Sequence, residues 1–356
     1  MITSMRHVLI CRTDNLGDVV LTLPLAGYLR QLFPALKIGF LCRRYAAAVV
    51  KQCSAIDYVV ERETLDGSLA DAARWLRQAD IDTIIFAMPD RRVGAAAKKA
   101  GIPQRVGTSH RLFHWMYCNR LAHFSRVKSS LHEAQLNFAL LRPLGIDMIP
   151  PVAGIAPLYW MQAAAAAETD AEAISVVSRF DPACFNVILH PKSNGNGREW
   201  PADHFVALAK LLVADPAIRL WVTGSENEGT WLTTHAPVLF EQPNVRNLCG
   251  TLSLEQLTAL IRAADGLIAS GTGPVHISAA LGQRTLGLYP PLKPIHPGRW
   301  APIGLRAQTL VRAEPCNGCR DPADCACMRS ITAEEVGQVV LGWQRDTDPT
   351  AETTAP

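Results

Sequence analysis

The chain has 356 residues, too many for one hydrophobic core, which stops growing near about 250–300 residues, and enough for two. With 49% hydrophobic, 19% charged and 7% aromatic residues, and Gly and Pro at 24 each, the composition is globular and excludes a disordered or low-complexity protein. A net charge of +3 excludes a strongly acidic protein and argues against a dedicated nucleic-acid binder.

In chain order, the apolar run at residues 7–11 (HVLIC) predicts a strand. After a loop, Leu21, Leu25, Leu29 and Leu32 recur at helical spacing and predict one helix. The alternation continues with strands at 37–42, 57–60 and 82–87, helical stretches between and after them, and a last strand at 104–107. Nearly continuous apolar strands alternating with helices are what a parallel sheet covered on both faces requires. A Pro-rich passage at 150–160 and an Ala-rich helix near 161–178 interrupt this pattern. It restarts with strands at 186–190, 218–224, 244–250, 266–270 and 284–290.

The expected organisation is α/β, with two Rossmann-like, doubly wound halves facing a cleft. Residues 1–160 form the first half, 161–184 a linker helix and 185–331 the second half. A C-terminal helix at 332–346 and a disordered tail at 347–356 complete the chain. Ligands of such domains bind at the carboxyl ends of the strands. No stretch supplies about 20 uninterrupted apolar residues for a membrane span, the most apolar being broken by Arg142 and Asp147. The run from Val8 to Cys11 is too brief for a secretory signal, so the expected location is cytoplasmic. Scattered Cys11, Cys42, Cys53, Cys118, Cys184 and Cys249 fit reduced core thiols.

Three loops carry candidate chemistry. In TDNLGDVV, Gly17 and Asp18 stand where strand gives way to helix; Asp18 reads either as a general base or as a helix cap. In HPKSNGNGREWP, Lys192, Ser193 and Arg198 cluster among glycines and read as phosphate contacts or as a solvated turn. In SGTGPVHISAALG, Gly271, Thr272 and Gly273 leave free amides at a helix start, a diphosphate site by construction, with His276 as a contact or a core residue. Glu226 and Glu228 follow another strand, where a carboxylate can hold a ribose diol or simply lie in solvent.

TDNLGDVVLTLP, AGIPQRVG, HEAQLNFALLRPLG, ILHPKSNGNGREWP, VTGSENE, NLCGTLSLEQL and SGTGPVHISAALG, in this order and spacing, resemble glycosyltransferase family 9, the lipopolysaccharide heptosyltransferases, from about residue 7 to 332. The resemblance implies a GT-B type fold, an ADP-activated heptose or related sugar as donor, inversion at the anomeric carbon and no required metal or other cofactor. It implies that Asp18 is the general base and that Arg198 stabilises the leaving diphosphate with the amides of Thr272 and Gly273. It also implies donor-phosphate contacts at Lys192 and Ser193 and a ribose contact at Glu226 or Glu228. Where relatives commonly carry Asp before the Thr/Ser-Gly pair, this chain has Gly271, which removes a sugar-discriminating carboxylate. That departure keeps two alternatives in view, a catalytically weak nucleotide- or glycolipid-binding scaffold and a nucleotide-sugar epimerase.

The mild total charge conceals polarity. Residues 1–150 hold 20 Lys/Arg against 12 Asp/Glu, the remainder 15 against 20. Residues 91–132 contain nine Lys/Arg and no acid, with Phe113, Trp115, Tyr117 and Phe124 interleaved. This segment is expected to meet an acidic glycolipid acceptor and the inner face of the inner membrane rather than nucleic acid. Arg12, Arg91, Arg92, Arg105 and Arg120 are the candidate acceptor contacts. Cys316, Cys319, Cys325 and Cys327 read as structural thiols or disulfides, or as a structural zinc site.

Overall fold

The computed structural model describes residues 4–161, 175–193, 195, 197–312, 316 and 325–345. The chain divides into two compact units, Met1–Gln162 and Ala163–Pro356. Most of the expected linker helix, the tail at 347–356 and Cys319 lie outside the described residues.

The first unit is built on a six-stranded, wholly parallel sheet of β1 (His7–Cys11), β2 (Lys37–Cys42), β3 (Tyr58–Glu61), β4 (Thr83–Phe86), β5 (Gln104–Thr108) and β6 (Arg120–Ala122), in the order β3-β2-β1-β4-β5-β6. Every residue of β1 and β4 is buried, as their uninterrupted apolar sequences require. Leu9, Cys11, Leu41, Ile84 and Phe86 pack on one face against Leu76, Val93 and Ala97 from the covering helices.

The second unit repeats the plan with β7 (Phe185–His190), β8 (Ile218–Val222), β9 (Val245–Asn247), β10 (Gly266–Ser270), β11 (Arg284–Tyr289) and β12 (Ala307–Val311). Their order is β12-β11-β10-β7-β8-β9. Its core takes in Val336, Val340 and Trp343 of the last helix, Ala333–Arg345, which is therefore part of this unit's packing and not an appendage. In each sheet the order reverses once, between β1 and β4 and between β7 and β10, and ligand crevices of doubly wound sheets open at such points.

Two departures from the expected pattern are seen. The helix expected from the Leu21, Leu25, Leu29 and Leu32 spacing is present as Leu23–Leu32, but a separate short helix, Leu16–Val20, precedes it; the two are parted where Thr22 Oγ1 donates to the Asp18 carbonyl (2.8 Å) and where Pro24 supplies no amide to continue the first. Strands β6 and β12 were not expected. Both are edge strands, one only three residues long and the other mostly half-exposed, so neither carries the apolar run by which a buried strand is read. Close packing also depends on one glycine. A methyl group at Gly27 would lie 1.9 Å from the Leu158 carbonyl oxygen, so only glycine lets the helix Leu23–Leu32 approach the segment Ala156–Tyr159.

Candidate active site

Asp18 sits at the carboxyl end of β1, on the third residue of the five-residue helix Leu16–Val20. It does not cap that helix: Asn15 is the N-cap residue, and Asp18 Oδ1 is taken by the Arg12 guanidinium. The helix is little more than one turn, so its amides and dipole are a minor attraction for an anion at Gly17. Side chains do the work instead. Arg12 Nε donates to Asp14 Oδ1 (2.7 Å) and its Nη1 to Glu133 Oε1 (3.3 Å), while Arg126 bonds the same Glu133 oxygen. Asn137 ties this cluster to the helix break, donating to the Leu21 carbonyl (3.0 Å) and to Thr22 Oγ1 (3.1 Å).

Asp18 is 9% exposed and Arg12 3%. Burial pushes the Asp18 carboxyl up, to about 6; Arg12 pulls against this, and the negative charges of Asp14 and Glu133 add to it. Burial opposes the charge on Arg12, yet Asp18, Asp14 and Glu133 together hold its guanidinium above the ordinary range. The second Asp18 oxygen, Oδ2, accepts no hydrogen bond from a described residue. The arrangement is a carboxylate fixed by one oxygen and open at the other, with an affinity for protons suited to taking one near neutral pH.

The expected acceptor cations separate by position. Arg12 is not a surface contact, because it is buried against three carboxylates and positions Asp18. Arg92 donates to the carbonyls of Leu65 (3.0 Å), Asp66 (2.9 Å) and Gly67 and so fastens a turn. Arg105 donates to the carbonyls of Tyr117 (2.7 Å) and Ile102. Arg120 is exposed and opens β6, where the register sets it beside Val106 and so level with Ile10, within the edge strand three strands from β1 and not on a loop beside Asp18. Arg91 alone of the five is both exposed and at the carboxyl edge, where it begins the helix Arg91–Ala100. Sequence reasoning passed over Arg43 and Arg44, which directly follow β2 at that edge and whose signal was position after an apolar strand; Arg111 and Lys128, counted in the basic stretch 91–132, lie in the segments after β5 and β6.

In the second unit the loop after β7 is folded around Glu199, also overlooked. Its Oε1 accepts from the Ser193 amide (2.7 Å) and hydroxyl (3.0 Å), and its Oε2 from Lys192 Nζ (2.5 Å). Lys192 also lies 3.7 Å over the Trp231 ring, fastening the loop to the helix Glu226–His235. The charge of Lys192 is thereby matched within the protein. Arg198 differs: it has no ion pair with a described residue, and its Nε is buried without a hydrogen-bond partner.

A methyl group on Gly197 would sit 3.3 Å from the Gly271 carbonyl oxygen, so this loop adjoins the turn after β10. Thr272 N-caps the helix Gly273–Ala280 without a side-chain cap bond, and its buried Oγ1 likewise lacks a partner. Two orphaned polar groups, one cationic, beside a helix start offer donors of the kind a diphosphate accepts. His276, four residues into that helix, is buried.

Glu228 is committed to its own helix: its Oε2 accepts from the Ser225 amide (2.7 Å) and hydroxyl (2.9 Å) in a capping box. Glu226, the first residue of that helix, is exposed, and its carboxylate is not part of the capping box. At Gly271 a side chain would begin 2.9 Å from Tyr289 Cε1, and that buried ring is pinned by its hydroxyl bond to the Trp300 carbonyl (2.7 Å). The space a carboxylate would need is occupied by an aromatic edge. Lys293, on the loop after β11, and Arg299, in the short helix Pro297–Trp300, add positive groups at the same edge that sequence reasoning also missed. Among the described residues no three His, Cys, Asp or Glu side chains are grouped as a metal site; of the late cysteines, Cys325 is buried in the second unit's core with Cys327 packed against it, Cys316 is half-buried, and Cys319 lies outside the described residues.

Residues 71–326 match glycosyltransferase family 9 (heptosyltransferase). A Haemophilus influenzae protein, named only provisionally as a glycosyltransferase, is 24% identical over 307 residues, 84% of this chain and 86% of its own. The ADP-heptose lipopolysaccharide heptosyltransferase II of Escherichia coli superposes with a TM-score of 0.73 at 18% identity, covering 96% of this chain and 100% of that one. A family 9 glycosyl transferase of Veillonella parvula superposes with a TM-score of 0.77 at 19% identity over 98% and 99%. Both likenesses carry the GT-B fold. With the match spanning the greater part of the chain and including the Arg198 and Thr272 loops, the protein belongs to glycosyltransferase family 9 and is a heptosyltransferase-like glycosyltransferase.

Proposed function

We propose that the protein transfers a heptose or related sugar from an ADP-sugar, with inversion and without a catalytic metal, to an acidic glycolipid of the lipopolysaccharide-core type, at the cytoplasmic face of a membrane. The observation that carries this reading is Asp18, buried, held through Oδ1 by Arg12 and open at Oδ2. In the step envisaged, Oδ2 takes the proton of an acceptor hydroxyl as that oxygen bonds to the anomeric carbon. The bond from that carbon to the ADP oxygen breaks, and the pair of electrons leaves with the diphosphate. Arg198 and the amides of Thr272 and Gly273 receive the developing charge, the task a divalent cation performs in other transferases.

ADP as the nucleotide carrier is supported by the shared fold of the Escherichia coli ADP-heptose lipopolysaccharide heptosyltransferase II, and an acidic acceptor by the exposed cations at the carboxyl edge of the first sheet. Ser193 and Lys192 shape the phosphate loop, and Glu226 holds the ribose. Lacking a carboxylate at Gly271, the site leaves the sugar's hydroxyls less discriminated, so the reading extends to sugars related to heptose.

The test is Asp18→Asn assayed with ADP-heptose and a lipid-A-core acceptor. Loss of a general base costs on the order of 10²–10⁴ in kcat while ADP binding persists. Wild-type transfer by the variant would remove Asp18 from the mechanism, and ADP binding without transfer by the native protein across a donor panel would favour the scaffold reading.

A further inference from the structure

The loops after β5 and β6 present an unusual surface. Leu112 is 88% exposed, Val127 90%, Trp115 59% and Met116 50%. Four large apolar side chains in water within one short stretch of chain are not explained by packing, and the stretch is otherwise cationic: Arg111 and Lys128 flank the two most exposed of them, and no acid occurs from residue 91 to 132. Strands β5 and β6 are parallel neighbours, with Thr108 paired to Ala122, so the segments carrying Leu112 and Val127 leave adjacent strands at the same carboxyl edge. Trp115 is held to that edge by its Nε1–H bond to the Ser109 carbonyl (2.9 Å) and by its ring beside His123, 6.4 Å between centroids. Met116 follows on the same turn, its carbonyl accepting from Lys98 Nζ (2.9 Å).

We propose that this tip is a membrane-docking surface that inserts Leu112, Trp115, Met116 and Val127 into the interfacial zone of an anionic bilayer leaflet while Arg111 and Lys128 meet its phosphates. The chemistry fits that occupant on both counts. Apolar side chains flanked by cations gain from the acyl boundary and from the negative surface potential together, and neither alone anchors a protein stably. An indole tethered by its N–H but exposed on its ring suits the headgroup level. The inference rests on the lipid-linked acceptor proposed above and adds the surface by which the enzyme reaches it. In the sheet order, β6 stands three strands from β1, about 14 Å at the usual spacing, so a headgroup sugar at the docked face lies near the edge that carries Asp18.

The test uses the full chain with sucrose-loaded vesicles of phosphatidylcholine alone and with about 30% phosphatidylglycerol, and needs neither donor nor acceptor. The expected result is binding at least about tenfold stronger to the anionic vesicles and weakened by salt. Leu112→Asp/Val127→Asp alters only the two most exposed side chains and should lower binding at least about tenfold while leaving ADP-induced thermal stabilisation intact. Leu112→Ser/Trp115→Ser/Met116→Ser/Val127→Ser should abolish it. No wild-type binding, equal binding to both vesicles, or full binding by the Leu112→Asp/Val127→Asp variant overturns the proposal. So does a shift from dimer to monomer in that variant without vesicle binding, which would assign the face to a second copy. Failure of vesicle binding with ADP stabilisation preserved would leave the transferase reading standing.

Discussion

Replacing Glu133 by Gln tests whether the buried charge cluster sets the base. Glu133 is 1% exposed, and its Oε1 accepts from both Arg12 and Arg126. Glutamine keeps the shape and an accepting oxygen, and removes one negative charge from the far side of the Arg12 guanidinium. Two carboxylates flanking one guanidinium stand roughly 7 Å apart, which at an effective dielectric constant of about 20 gives about 2 kcal/mol of repulsion between Glu133 and Asp18. Solvent reaching Asp18 reduces that further, leaving about one pH unit, or about 1.4 kcal/mol. Removing the repulsion favours ionised Asp18, so its pKa falls.

With Asp18 as the base proposed above, transfer requires its deprotonated form, so kcat/KM should rise with pH through about 6 in the native protein. In Glu133→Gln that acidic limb should move to about 5, with a plateau lowered no more than about threefold because a weaker base accepts the proton less readily. The assay is ADP release over roughly pH 4.5 to 8.5 for both proteins. An unmoved limb, or one moved to higher pH, would refute the electrostatic coupling; a lost plateau with an unmoved limb would make Glu133 purely structural.

Asp18→Asn should be more stable than the native protein near pH 7.5. The folded carboxyl, at about 6, holds its proton more tightly than the unfolded one, so its contribution is fully present below about pH 4 and is lost as pH rises through 6. The gain, on the order of 1–3 kcal/mol by urea denaturation, should vanish at about pH 4, where native Asp18 is itself protonated. Arg198→Ala should lower kcat by about 10²–10³ and weaken ADP binding, measured by steady-state kinetics and titration calorimetry, whereas an unaffected kcat would detach Arg198 from the leaving group. Gly271→Ala should cost about 1–3 kcal/mol of stability, since the new methyl must displace the pinned Tyr289 ring; an unchanged denaturation midpoint would mean that the ring yields freely.

The sequence by itself determined the architecture, because parallel strands buried on both faces must be written as apolar runs and their crossovers as helices; β1, β4, β7 and β10 were legible for that reason. It determined the three chemical loops as well, since an Asp or a Gly-rich turn directly after such a run must lie at the carboxyl edge. It did not reveal β6 or β12, whose edge positions release them from the apolar pattern.

The tertiary structure alone decided which charges are available. Arg12, Arg92, Arg105, Lys192 and Glu228 look free in the chain and are committed in the fold, to carboxylates, to carbonyls or to a helix cap. Arg198 and Asp18 Oδ2 keep groups open. Ion pairs join residues as far apart in sequence as Arg12 and Glu133, so no local pattern records them, and burial, which raises the Asp18 pKa, exists only once both ends of that pair have been brought together.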